Sequence, residues 1–442
     1  MIDLMPFIQR RQRLLQTLGT GIAVLSTAPE QLRNRDSHFP YRFDSHFYYL
    51  TGFTEPAAVL VLDATTQRSI LFCRDKDMER EIWDGFRYGP AAAAAQFGFD
   101  EAYSISELDQ RLPALLANQA ILHYALGADQ NWDKRVLGWL NSVRAEARGG
   151  VTAPAQLRDV RVMIDAMRLL KDDAELTLLR RAASIACAAH SRAMQVTAAG
   201  QFEYQIEAEF LHEFRRHGAQ SPAYTSIVAG GANACVLHYV DNNALLRDGE
   251  LLLIDAGCEL DGYASDITRT FPVNGRFSAA QRDVYELVLA AQAAALATIR
   301  PGAQWHLAHE AALAVLVQGM IDFGLCQGSV DGVIESGAYR RFYMHRTGHW
   351  LGLDVHDVGD YKHNGEWRDL QPGMVLTVEP GCYIRPADDV PAAFWNIGIR
   401  IEDDVLVTAQ NHEILTLAAP KTVVAIESLM AAGKYQAQYR VG

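Results

Sequence analysis

The sequence predicts two domains: an α/β N-terminal domain with a mixed sheet over residues 1–170, and a larger second domain over 171–442. Three observations carry this division. Short apolar runs alternate with helical periodicity up to about residue 165, the pattern of an α/β layer. Asp172, followed three residues later by Glu175, forms a capping box that opens a long helix. A chain of 442 residues is also longer than a single hydrophobic core usually serves.

Taken in order, Arg10, Arg11 and Arg13 precede Leu14 to Ala28 and loosely imitate an export signal. Gln16, Thr17, Gly19, Thr20 and Gly21 interrupt that apolar stretch, so a short helix followed by a strand is expected. Ala57 to Leu62 and Ile70 to Cys73 read as strands joined by the polar turn Asp63 to Ser69. Leu108 to Ala117 reads as a helix and Ala120 to Tyr124 as a strand, before Gly149, Gly150 and Pro154 loosen the chain. Beyond Asp172, the residues Leu176, Leu179, Ala183 and Cys187 form one apolar stripe. Further helices are expected from Phe202 to His217, stopped by Gly218, from Ala279 to Ile299, and from about His306 to Met320. Strands and loops dominate the rest.

Composition excludes several classes. A net charge of −13 argues against a nucleic-acid or anionic-membrane partner. The sequence holds no run of eighteen apolar residues, the length a membrane-spanning helix needs. The six cysteines (Cys73, Cys187, Cys235, Cys258, Cys326, Cys382) form no C-x-x-C pair. Their scatter is that of a reduced, cytoplasmic protein and not of a zinc ribbon or a disulfide framework.

Some motifs are decoys. His212-Glu213 and His217 imitate a zinc-peptidase helix, but i to i+5 sets the imidazoles roughly 140° apart, so they cannot share a metal. His306, His309 and Glu310 have helical spacing and read as a solvated face.

The chemistry concentrates in three places. Leu251 to Thr270 reads as a β-hairpin turning around Leu260-Asp261-Gly262. Counting outward from that turn makes Asp255 face Asp266, with Cβ atoms about 5 Å apart. Like charges so placed are destabilising unless a cation lies between them, and the bland alternative is two solvated aspartates beside a turn. Met374 to Glu379 and Gly398 to Val405 read as strands of a second pair. Period-two alternation puts Ile397, Ile399 and Ile401 on one face, with Arg400 and Glu402 on the other, where a plain buried ion pair is the bland alternative. Finally, His345, His349 and His356 fall within twelve residues among glycines that suit irregular backbone near a ligand.

The segments Ile254 to Thr270, His345 to Asp357, Thr377 to Gly381 and Gly398 to Asp404 resemble the metal-binding motifs of aminopeptidase P, in the pita-bread metallopeptidase superfamily. Arg33 to Arg42 and Phe47 to Pro56 resemble that family's N-terminal domain, so the likeness spans nearly the whole chain. One departure is that Arg346 follows His345, with Gly348 preceding His349, which alters the expected wall of the proline pocket.

The resemblance implies an α+β pita-bread catalytic domain holding two divalent ions on Asp255, Asp266, His349, Glu379 and Glu402, with Asp266 and Glu402 bridging. Two divalent ions neutralise four carboxylates, and oxygen-rich ligation with one imidazole suits Mn²⁺, with Co²⁺ or Zn²⁺ as alternatives. It further implies release of the N-terminal residue from peptides with a free N-terminus and proline second, through a hydroxide bridging the metals. Glu379 would relay the proton, while His356 and His238 would bind the oxyanion. His238, His345, His356, Tyr383 and Arg400 would border the proline pocket, joined by Trp83 from the N-terminal domain. A homo-oligomer, dimer or tetramer, is implied, with a loop around Asp36 reaching a neighbour. The rival expectations are a prolidase restricted to Xaa-Pro dipeptides and, more remotely, a non-catalytic peptide-binding module.

Overall fold

In the computed structural model, which describes residues 3–439 with side chains to 433, the chain divides into the units Met1–Arg168 and Leu169–Gly442. The first unit is built on β1 (Ile22–Ser26), β2 (Val59–Asp63), β3 (Arg68–Cys73), β4 (Glu101–Ser104), β5 (Ile121–His123) and β6 (Gln156–Arg158). They form one sheet in the order β4-β3-β2-β1-β5-β6. β1, β2 and β3 pair antiparallel while β4, β5 and β6 join in parallel, which makes the sheet mixed as expected. Ile22, Val24, Val59, Val61, Ile70 and Phe72 share a core with the helices Leu108–Leu116 and Gln130–Ala145. The opposite face is buried too, which is why these strands read as unbroken apolar runs rather than alternating ones.

The N-terminal arginines serve this fold. Arg11, on the helix Met5–Leu18, is buried and donates to the carbonyls of Leu50 (2.9 Å), Phe97 (2.8 Å) and Gly98 (2.8 Å). Burial lowers its pKa to about 10, and Asp100 partly offsets that cost.

The second unit opens with the helix Asp173–Val196, capped reciprocally by Asp172 and Glu175. With Ala279–Thr298 and Leu307–Asp322 it covers several short antiparallel ladders. In chain order the strands are β7 (Ser221–Pro222), β8 (Ile227–Gly230), β9 (Leu251–Asp255), β10 (Cys258–Leu260), β11 (Tyr263–Ala264) and β12 (Thr268–Pro272). They continue as β13 (Lys362–His363), β14 (Glu366–Trp367), β15 (Val375–Val378), β16 (Gly381–Ile384), β17 (Ile397–Arg400), β18 (Asp403–Val407) and β19 (His412–Ile414). Among the described residues no helix is long and apolar enough to cross a membrane.

Two local expectations are corrected. The hairpin exists, but its register centres one residue later than the turn count implies. β9 pairs with β12 so that Asp255 faces Thr268, not Asp266. Asp261 adopts φ +49° and Gly262 φ +85°, so the left-handed two-residue turn falls at 261–262. Asp266 therefore sits two residues from Thr268 on the same face, a diagonal neighbour of Asp255. Gly257, opposite Asp266, allows this closeness, because a Cβ there would meet the Ser265 carbonyl oxygen at 1.6 Å. Second, the expected strand Gly398–Val405 is two strands. β17 pairs with β16 and β18 pairs with β15, and the chain changes partners at Ile401-Glu402. Ile397, Ile399 and Ile401 do lie in the core.

Candidate metal centre

One cavity of about 1030 Å³ in the second unit is lined by Asp255, Asp266, His349, Glu379 and Glu402, and also by His238, His345, His356 and Arg400. Each element delivers its residue for a local reason. Asp255 ends β9, Asp266 precedes β12, and Glu402 sits at the break between β17 and β18, where the ladder releases its side chain. His349 and Glu379 come together because two segments zip. The Glu379 amide donates to the Thr347 carbonyl (2.8 Å) and the Thr377 amide to that of His349 (2.9 Å). Gly348 permits this, since a Cβ there would stand 2.1 Å from the Thr377 carbonyl oxygen.

Ligand atoms of Asp266, His349 and Glu402 lie within 4.8 Å of one another. The His349 Nε2 is 3.4 Å from Asp266 Oδ2 and 3.7 Å from Glu379 Oε1. Its Nδ1 must carry a hydrogen, because it donates to the Trp350 carbonyl at 2.9 Å, and so Nε2 is the atom with a lone pair to offer a cation. The Tyr224 hydroxyl bridges the carboxylates, 2.6 Å from Asp255 Oδ1 and 2.5 Å from Asp266 Oδ1.

Charge in this cluster is out of balance. Burial, then the neighbouring carboxylates, push Glu402 well above the usual range. Burial also raises Asp266 and takes Glu379 to about 7. Burial works against a charged His349, yet the Asp266 hydrogen bond and the Glu379 charge lift it to about 9. The side chains alone therefore hold more negative charge than they can stabilise, in a set of oxygens plus one imidazole nitrogen. Divalent cations fit that site.

The outer residues form a directed chain. Arg400 does not pair with Glu402; its Nη2 donates to Asp255 Oδ2 at 2.6 Å, and its Nε to Thr268 Oγ1 at 3.1 Å. Thr268 in turn donates to Glu402 Oε2 at 2.6 Å. Arg400 Nη1 donates to the Tyr383 hydroxyl (2.9 Å), which donates to His345 Nε2 (2.8 Å), while His345 Nδ1 donates to the Arg346 carbonyl (2.7 Å). Burial and the Arg400 charge drop His345 to about 3, which keeps it neutral and able to accept. His238 and His356 are exposed, and the His356 ring meets His349 edge-on with centroids 4.4 Å apart. Trp83 lies in the N-terminal unit, on the helix Met78–Asp84, and is 82% exposed.

The helix at 307–322 overturns one expectation. His306 and His309 line the cavity instead of a solvated face, although Glu310 does point outward. His309 Nδ1 is 2.8 Å from Thr347 Oγ1, and burial takes its pKa down to about 4. Sequence reasoning also missed Tyr224 and Thr268. Alternation could have found Thr268, two residues beyond Asp266, whereas no spacing signal marks Tyr224. Cys258 is a core thiol, its Sγ donating to the Ala182 carbonyl at 3.5 Å.

Behind the site, His190 is fully buried and its Nε2 donates to the Ala256 carbonyl at 3.1 Å. Burial, helped by Arg269, takes its pKa from 6.5 to about 3. The unfolded chain protonates below pH 6.5 while the folded one does not. Its contribution is therefore intact above that pH and lost as pH falls toward 3, at about 1.4 kcal/mol per unit. Urea midpoints at pH 7 and pH 5 should fall less in His190→Gln than in wild type; equal slopes would refute this.

Comparison with known proteins follows the same lines. Residues 177–409 match the model of metallopeptidase family M24, and residues 7–123 that of the aminopeptidase P N-terminal domain. The chain is 46% identical to the Xaa-Pro aminopeptidase of Escherichia coli (strain K12), over 97% of this chain and 98% of that one. Its fold is similar to that of Pseudomonas aeruginosa aminopeptidase PepP, with TM-score 0.97 and 49% identity, covering 98% of this chain and 100% of the other. It is also similar to a variant of Escherichia coli aminopeptidase P solved in complex with substrate, with TM-score 0.96 and 46% identity over 98% and 100% of the two chains.

Proposed function

We propose the following mechanism from the premise that the chain belongs to metallopeptidase family M24 and is a metallo-exopeptidase of the Xaa-Pro aminopeptidase type. It releases the N-terminal residue of peptides whose second residue is proline. The observation that carries the reading is one buried cluster of Asp266, His349 and Glu402, with Asp255 and Glu379 on the same cavity wall. Those five residues would hold two divalent ions, with Mn²⁺ the best match to the donor set. Such ions supply an acidified water and a Lewis acid for the peptide carbonyl.

The remaining work falls to this chain's residues. Glu379 accepts a proton from the attacking water and passes it to the departing proline nitrogen. His356 and His238 donate hydrogen bonds to the oxygen that gains charge as the carbonyl becomes tetrahedral. The free α-amine is received near Asp255. A bond before proline has no N–H, so recognition rests on ring shape, which His238, His345, His356, Tyr383 and Arg400 provide.

Metal-stripped protein is expected to be inactive on an Xaa-Pro-Xaa tripeptide and to recover best with Mn²⁺, less with Co²⁺ or Zn²⁺. N-acetylation of the peptide should abolish cleavage. Equal cleavage of free and acetylated peptides would remove the amine from Asp255, and activity confined to dipeptides would reassign the enzyme as a prolidase. The same reading takes it to be cytoplasmic, in keeping with six free and buried cysteines, and homo-oligomeric, dimer or tetramer, which light scattering tests.

A further inference from the structure

His238 reaches the cavity from residues 231–244, a segment whose regular structure is one 3-10 turn, Gly231–Cys235, and which also brings Leu237 and Val240 to the wall. What fixes this segment lies beneath it. Glu203, the first residue of the helix Glu203–Arg216, is 0% exposed. Its Oε1 accepts from the Gly230 amide (2.7 Å) and Asn233 Nδ2 (3.0 Å). Its Oε2 accepts from the Tyr239 hydroxyl (2.7 Å) and the Ala244 amide (2.8 Å). One oxygen thus holds the start of the segment and the other holds its end, with His238 between. The Glu203 amide adds a bond to the Ala244 carbonyl at 3.0 Å.

These four donors are all neutral. A buried ion met only by neutral donors is a poor device for stability, because an apolar side chain of the same size would fill the space without the desolvation cost. Four converging charge-assisted bonds are a good device for fixing a loop. An amide in the same place would turn an N–H toward the backbone N–H of either Gly230 or Ala244 and lose that bond outright.

We propose that Glu203 is a positioning residue for substrate recognition, holding residues 230–244 so that His238 faces the bound peptide. This rests on the reading of His238 as a substrate-contacting group. In the metal-loaded enzyme, Glu203→Gln should lower kcat/KM on an Xaa-Pro-Xaa peptide by about tenfold or more, with metal content unchanged. The loss should divide between kcat and KM as it does in His238→Ala, and it should nearly vanish when added to that variant. Tyr239→Phe, which removes one donor, should show a smaller loss masked in the same way and serves if Glu203→Gln does not fold. In zinc-loaded, histidine-labelled protein both variants should move the His238 imidazole resonance and leave that of His356 in place. Independent losses in the double variants, or an unmoved His238 signal, overturn the proposal. Full activity in His238→Ala with the signal still displaced would overturn the reading of His238 and uphold the positioning by Glu203.

Discussion

Glu379→Gln is expected to cut kcat by about 10²–10⁴-fold, the span of a lost general acid–base group. The substitution keeps the size of the side chain and the backbone bond that ties residue 379 to Thr347, 2.8 Å away. Under the proposed mechanism it removes the proton carrier and weakens one ligand. Glu379 faces His349 at 3.7 Å and His345 Nδ1 at 3.7 Å, so the amide would also leave His349 without one of the charges that favour its cationic form. KM should change far less than kcat, since the proposed proline pocket draws on other residues. A variant that retains a tenth of wild-type kcat with its metal in place would remove Glu379 from the proton path.

Arg269→Met should produce the largest loss of stability, about 3–5 kcal/mol, the usual result of breaking a buried ion pair from one side. Arg269 is fully buried and uses all five of its N–H groups. They reach the carbonyls of Thr268 (3.0 Å), Glu402 (2.6 Å), Pro420 (3.1 Å) and Ala419 (3.1 Å), and Asp403 Oδ1 (2.7 Å). Burial alone would raise Asp403, but Arg269 and Lys421 hold it at about 2. The same guanidinium therefore braces the strand that follows Asp266 against the strand break that carries Glu402. Thermal unfolding should shift down by about 10 °C, and metal affinity should fall with it. Lys421→Met should cost less, because its side chain is 19% exposed and Arg269 remains. An Arg269→Met protein melting within two degrees of wild type would contradict this account.

Much of this arrangement is legible before any fold is known. The mixed sheet follows from short β-branched runs separated by turns and helical stretches. The capping box at Asp172 and Glu175 opens the second unit because its two reciprocal hydrogen bonds depend only on residues three apart. The five acidic and histidine residues stand out because carboxylates and imidazoles embedded in strongly apolar strands need a reason to be there. The alternation that placed Arg400 on the opposite face from Ile399 also holds, since strand pleating is a local property.

What failed depended on contacts between distant segments. Counting back from the hairpin turn cannot tell which two residues occupy its corner, and an error of one residue there changes the facing partner of Asp255 from Asp266 to Thr268. The break at Ile401-Glu402 is invisible to period-two alternation, because it arises from two different neighbouring strands, β16 and β15, claiming the two halves. His309 reads as a surface residue by helical spacing, and becomes a wall residue only because Thr347 arrives from 38 positions away. Tyr224 joins the two aspartates for the same reason.

The chain's residues thus determined by themselves which donors exist, in what order, and that their charge needs a cation, because side-chain chemistry and short-range periodicity are written locally. Which oxygen faces which nitrogen, and which neutral residues orient them, was decided by tertiary packing, because those pairings cross dozens to hundreds of residues and no local spacing encodes them.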